Sequence, residues 1–228
     1  IINKLILPVH MKNSFLKRYG LIILFFIVFS VVGVSSFNYV QTPTKKLPIY
    51  SPSMVSDELV EEDLRYVKKY HRISDFSLFN QNGENVTHDN YKNKIYVADF
   101  FFTTCPDICP IMTGNMLYLQ ENLKNNNDIM LASFSVTPGV DTIEVLKSYS
   151  LEKGVDDSKW NLMTGEKKQI YDLARKSFLV AKKIHNEQNH GMIHTENFVL
   201  VDKEKRIRGY YNGTCLLYTS DAADELLG

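Results

Sequence analysis

Lys94-Ile95-Tyr96-Val97-Ala98-Asp99-Phe100-Phe101-Phe102 runs directly into Thr103-Thr104-Cys105-Pro106-Asp107-Ile108-Cys109-Pro110. The first nine residues form a nearly continuous apolar and β-branched run, the pattern of a strand buried on both faces at the centre of a sheet. Residues 103–110 read as a cysteine-bearing turn, and Ile111 to Leu123 repeats its apolar positions at helical spacing. A second strand, Ile129 to Val136, leads through the turn Thr137-Pro138-Gly139 into a helix near Thr142 to Ser150. Strand, helix, strand in this order is a βαβ unit, and its two strands are expected to pair in parallel.

Working outward, Arg72 to Phe79 alternates and meets the polar turn Asn80 to Glu84, an expected first hairpin. Trp160 to Gly165 reads as a short strand and turn and Glu166 to Ala174 as a helix. Glu196 to Asp202 reads as a late strand that turns at Lys203 to Lys205 into Arg206 to Tyr211, a closing hairpin. The expected fold class is α/β, a central mixed sheet flanked by helices.

Ahead of this domain, Leu21 to Val34 (LIILFFIVFSVVGV) carries no charge, and the uncharged stretch extends to Val40, long enough for a membrane span. Lys12, Lys17 and Arg18 precede it, which places the N-terminus in the cytoplasm and everything after Val40 outside. An anchor is favoured over a cleaved signal at Val34-Ser35-Ser36. Pro43, Pro48 and Pro52 among Ser and Thr mark 41–57 as an extended linker, so the domain is expected over 58–214. The chain begins at Ile1 and its first Met is Met11; 1–10 read as upstream sequence translated in frame, and 11–20 as a short cytoplasmic N-terminus. Residues 215–228 resemble a translated sequencing adapter, so the natural chain is expected to depart from this one near Thr214.

Lys and Arg total 26, and so do Asp and Glu. That balance supplies no basic field for phosphates and sets a nucleic-acid partner aside. Without Cys215 the cysteines reduce to Cys105 and Cys109, too few and too close for a disulfide framework, and suited to redox chemistry or metal binding. At the mouth of a central strand and the start of a helix, backbone N–H groups and the helix dipole stabilise thiolate. Soft sulfur donors favour Cu(I), and an added imidazole also suits Cu(II) or Zn. A closed zinc site would want four protein ligands, and there is no second cysteine pair. Of the histidines, His194 stands directly before the late strand, whose loop in such a sheet approaches the cysteines; His190 and Met192 are spare candidates.

Phe101 to Pro110 resembles the CPxxCP signature of the Sco/SenC proteins. In the same order Ser135 to Thr142 resembles that family's second strand and turn, Trp160-Asn161-Leu162-Met163-Thr164-Gly165 its WxxLTG segment, and His194 to Asp202 the segment carrying its metal histidine. The resemblance covers roughly residues 72–214. It implies a thioredoxin-like domain behind a single N-terminal membrane helix, binding copper as Cu(I) or Cu(II) through Cys105, Cys109 and His194. It further implies an assembly factor that delivers copper to, or prepares, the binuclear copper site of a cytochrome c oxidase subunit, with a copper donor protein as second partner. The Lys- and Asn-rich composition with an N-terminal anchor fits a bacterial inner membrane with the domain facing the periplasm; the alternative is the mitochondrial inner membrane. Thr103-Thr104 stands where many relatives carry other residues, a departure read as neutral. Pro138-Gly139-Val140 replaces a more acidic turn, so partner contact by that loop is not carried over, and a final helix is expected to be missing. The alternative is a membrane-anchored thiol–disulfide oxidoreductase using Cys105 and Cys109; a thiol peroxidase fits the paired cysteines less well.

Overall fold

The computed structural model describes residues 11–41, 47–57, 59–69, 71–181 and 195–215. Two compact units divide between Lys46 and Leu47. The first contains one helix, α1 (Met11–Gln41), in which Arg18–Phe37 is long and apolar enough to cross a membrane. Its 20 residues at about 1.5 Å rise each span about 30 Å, the thickness of a bilayer's hydrocarbon core. No acidic or basic side chain interrupts it after Arg18, and Leu21, Phe25, Phe29 and Val32 are exposed along its length.

The second unit is built on a seven-stranded mixed sheet. Its strands are β1 (Ser77–Asn80), β2 (Asn85–Thr87), β3 (Ile95–Phe101), β4 (Ile129–Ser135), β5 (Trp160–Thr164), β6 (Asn197–Val201) and β7 (Ile207–Asn212), in the order β2-β1-β5-β4-β3-β6-β7. β3, β4 and β5 are parallel, joined by α2 (Ile108–Leu123) and α3 (Ile143–Lys153). β1 pairs antiparallel with β2 and β5, and β6 antiparallel with β3 and β7. This is the expected mixed α/β sheet with its parallel centre.

β3 lies inside the sheet, between β4 and β6, because it can be buried on both faces: only Ile95 at its start is less than fully buried. Val97, Phe100 and Phe101 each contribute about 1.5–3 kcal/mol on leaving water. Phe100 stacks on Phe134 of β4 at 5.2 Å between ring centroids, and Phe76 and Phe178 close over Phe134 at 5.5 and 5.3 Å. Successive strand residues face opposite ways, so Asp99 and Phe101 point to the other face. There Phe101 meets Tyr149 of α3, whose hydroxyl bonds Thr113 of α2 at 2.9 Å. Thr142 caps α3 by accepting from Val145 N–H, and Gly154 ends it at φ 79°, a left-handed value that glycine adopts without strain.

Several boundaries differ from the sequence reading. Residues 72–76 are not strand: Ile73 N–H bonds to Lys205 O, and β1 starts at Ser77. α2 starts at Ile108, not Ile111, so Cys109 and Pro110 are helical rather than part of a turn. Proline is tolerated in a first helical turn because its missing N–H would have had no intrahelical partner there. α4 (Lys167–Asp172) passes into a π turn over Leu173–Ser177, carrying the helical segment past Ala174. Residues 47–57, expected within the linker, pack on the domain. Tyr50 N–H donates to Ile207 O, and Arg208 donates to the carbonyls of Leu47 and Pro48, so this segment is held against the start of β7.

Candidate metal and redox site

α2 begins where β3 ends, and the six residues between Phe101 and Ile108 carry Cys105. Asp107, at the cap position of α2, makes no side-chain cap bond. Cys105 sulfur takes that role: the backbone N–H groups of Asp107, Cys109 and Ile108 all hydrogen-bond to it, as does the Cys109 side chain. These are the donors a helix start leaves without intrahelical partners, and they favour a negative atom. Burial works against the Cys105 thiolate, yet these bonds outweigh it and hold the thiol below its ordinary value.

Cys109 behaves oppositely. Burial, together with the hydrogen bond and charge of Cys105 and the charge of Asp99, pushes it up to about 12 despite a stabilising bond from the Phe102 backbone. Both cysteines are buried, and both are free thiols. The pair is therefore asymmetric: the surroundings of Cys105 favour its thiolate, and those of Cys109 favour its protonated form.

Asp99 sits on the α2/α3 face of β3 and was not singled out in the sequence. Burial raises it to about 7, opposed by the Ser133 hydroxyl that donates to it, and Ser133 Oγ in turn accepts the Trp160 indole N–H at 2.8 Å. A carboxylate inside an otherwise apolar central strand was the available signal, since a buried charge is costly unless something uses it.

The third predicted ligand, His194, lies outside the described residues, as do His190 and Met192. The strand it precedes is entered from the cysteine end. β6 pairs Ala98 with Val199 and Tyr96 with Val201, so counting back along β6 moves toward the β3 terminus that carries Cys105. Thr195 is buried there and caps Asn197 N–H. Glu196 O accepts from Gly213 N–H at 2.6 Å, and Gly213 O accepts from Asn115 of α2 at 2.7 Å, which ties the entry of β6 to the helix bearing Cys109. Among the described residues no three His, Cys, Asp or Glu side chains converge, so the structure brings together Cys105 and Cys109 of the expected ligand set. Two hydrogen-bonded thiols, one made more acidic by backbone N–H groups, are a donor set that suits a soft ion such as Cu(I).

Comparison with known proteins agrees with this architecture. Residues 65–223 match the SCO1/SenC family profile. A SCO1 protein homolog of Bacillus subtilis is 36% identical over 146 residues, covering 63% of this chain and 75% of its own. The solved structure of BsSco, described as a member of the Sco family of cytochrome c oxidase assembly proteins with a disulfide switch, superposes with a TM-score of 0.58 at 33% identity, covering 68% of this chain and 92% of that one. Arabidopsis thaliana ScoI, solved with copper bound, gives a TM-score of 0.54 at 26% identity, covering 68% and 97%.

Proposed function

Since the chain belongs to the SCO1/SenC family, we propose that it holds one copper ion between Cys105, Cys109 and His194 and delivers it to the binuclear copper site of a cytochrome c oxidase. The observation that carries this reading is the thiol pair itself: Cys105 accepts three backbone N–H bonds at the start of α2 while hydrogen-bonded to Cys109. Two sulfurs at the edge of a loop bind copper tightly, and a three-ligand set leaves the ion open to a partner's incoming ligands before its own depart. Copper is cargo in this account, supplied by a donor protein and surrendered to the oxidase subunit. The entry of β6 at the cysteine end supports His194 as third ligand, and the copper held by the Arabidopsis relative supports the choice of metal. The apolar helix with Lys12, Lys17 and Arg18 ahead of it supports a single-pass anchor in a bacterial inner membrane, with the domain outside.

Anaerobic titration of the reduced chain with copper tests the reading, using wild type, Cys105→Ser, Cys109→Ser and His194→Ala on a Cys215→Ser background. One tightly held copper per chain, lost in either cysteine variant and weakened in Cu(II) form by His194→Ala, is expected. Wild type that holds no copper specifically contradicts it.

The unequal thiols favour a second reading, a disulfide reductase. The Cys105 thiolate would attack a partner disulfide and release one partner thiol, and Cys109 would then displace the second. The chain would end as a Cys105–Cys109 disulfide and the partner as two thiols. Rapid exchange with a disulfide substrate, alongside no specific copper binding, selects it.

A further inference from the structure

Asp141 is a completely buried carboxylate with no cationic partner among the described residues. Burying such a group costs several kcal/mol unless donors surround it, and here four do. Its Oδ1 accepts the Thr103 hydroxyl at 2.6 Å; its Oδ2 accepts Thr103 N–H at 3.3 Å, the Ser135 hydroxyl at 2.6 Å and the Thr137 hydroxyl at 3.0 Å. Hydrogen bonds to a charged acceptor are stronger than neutral ones, so the arrangement is stable once complete.

Its own position is fixed by the turn that carries it. Asp141 N–H and Val140 N–H both donate to Thr137 O, and Thr137 N–H donates to Ser135 Oγ at the end of β4. Three of the four donors to the carboxylate come from this turn and the Cys loop's nearest residue, and two of the four come from Thr103 alone. Thr103 lies two residues before Cys105, in a stretch where Cys105 N–H turns back to Phe102 O at 3.3 Å. Cys109 is set by the body of α2, whose first N–H groups also reach Cys105 sulfur, so the Thr103 end of the loop is the second restraint on Cys105. The separation and orientation of the two sulfurs therefore depend in part on how the Thr103 end of the loop is held.

We propose that Asp141 is a positioning residue for the metal site: by gripping Thr103 it fixes Cys105 sulfur relative to Cys109. This rests on the copper reading for its biological meaning, but the geometry it claims governs disulfide closure equally. Thr103, read from the sequence as a neutral departure, becomes the handle through which a turn outside the cysteine loop sets the ligand geometry.

The test uses the full chain in detergent on a Cys215→Ser background, comparing Asp141→Asn, Thr103→Val, Thr103→Ser and Ser135→Ala. Four quantities are read: the copper dissociation constant, the energy of the sulfur-to-copper charge-transfer band, the dithiol–disulfide equilibrium constant against glutathione, and the urea midpoint. Ser135→Ala removes a bond to the same carboxylate at the same 2.6 Å length as Thr103→Val, together with the Thr137 N–H bond to Ser135 Oγ, but from a strand that carries no cysteine. Thr103→Val and Asp141→Asn are expected to weaken copper about 10-fold or more, as loss of an outer partner of a metal ligand does. They are also expected to shift the charge-transfer band and move the disulfide equilibrium several-fold; Thr103→Ser restores both, and Ser135→Ala, which leaves the Thr103 grip on Asp141 intact, lowers the urea midpoint and moves the site readouts less than Thr103→Val does. Equal effects of Thr103→Val and Ser135→Ala on the site readouts, or no effect of Thr103→Val beyond stability, overturn the inference. If wild type binds no copper, the functional reading fails and the disulfide equilibrium alone decides this one.

Discussion

Replacing Asp99 by Asn should stabilise the domain, and do so more as the pH rises. Burial lifts the Asp99 carboxyl from an ordinary 3.8 to about 7, so between those values the folded chain keeps a proton that the unfolded chain has released. The stability that this proton contributes is full below pH 3.8, falls as pH rises through the window, and is gone above 7. At about 1.4 kcal/mol per pH step of the window, the native state gives up about 4 kcal/mol by pH 8. Asparagine has no proton to lose, and its carbonyl still accepts the Ser133 hydroxyl, but its amide N–H groups enter a site without known acceptors, at a cost of about 1–2 kcal/mol. The net gain at pH 8 is about 2–3 kcal/mol. The assay is urea unfolding of the part from Leu47 onward at pH 5, 6, 7 and 8, followed by fluorescence of the single tryptophan, Trp160, whose indole donates to the same Ser133. The variant's advantage should grow by about 3 kcal/mol between pH 5 and 8. A constant difference across that range, or a variant less stable than wild type at pH 8, would refute the assignment of Asp99 as a buried, proton-holding carboxyl.

His88 gives the opposite slope. Buried among Phe76, Tyr91 and Tyr96, it is depressed to about 4, chiefly by burial and then by Lys205. Below pH 6.5 the unfolded chain takes up a proton that the folded one refuses, so stability falls between 6.5 and 4, by at most about 3 kcal/mol; unfolding of His88→Gln over pH 4–7 should lack that slope. The two cysteines should differ in alkylation by iodoacetamide on a Cys215→Ser background. Cys105 alone, in Cys109→Ser, should react with a midpoint below the ordinary thiol value of 9.0, whereas Cys109 alone, in Cys105→Ser, should stay slow to high pH; equal profiles would contradict the asymmetry of the pair.

The centre of the fold was legible because β3 and β4 are buried on both faces and carry little but apolar side chains, so their identity as paired strands needs no tertiary information. The start of α2 was not, because Pro106, Asp107 and Pro110 are turn residues by propensity and only the helix end shows that Pro110 falls where a proline does no harm. Residues 47–57 were read as free linker from their prolines, yet Arg208 and β7 capture them through backbone carbonyls and an amide, contacts that composition does not encode. Cys105 and Cys109 were found by spacing. Asp99 and Asp141 were missed because each acts by burial against hydroxyls from distant segments, Ser133 in one case and Thr103, Ser135 and Thr137 in the other, and hydroxyl residues scattered along a chain form no motif.

X-ray absorption at the copper edge of the metal-loaded chain addresses the central claim most directly, because it counts ligand atoms rather than inferring them from affinity. Two sulfur neighbours with at least one imidazole nitrogen in wild type, the nitrogen lost in His194→Ala and one sulfur lost in Cys105→Ser or Cys109→Ser, is the predicted result. Copper held by oxygen and nitrogen alone, or a spectrum unchanged when either cysteine is replaced, would contradict the account.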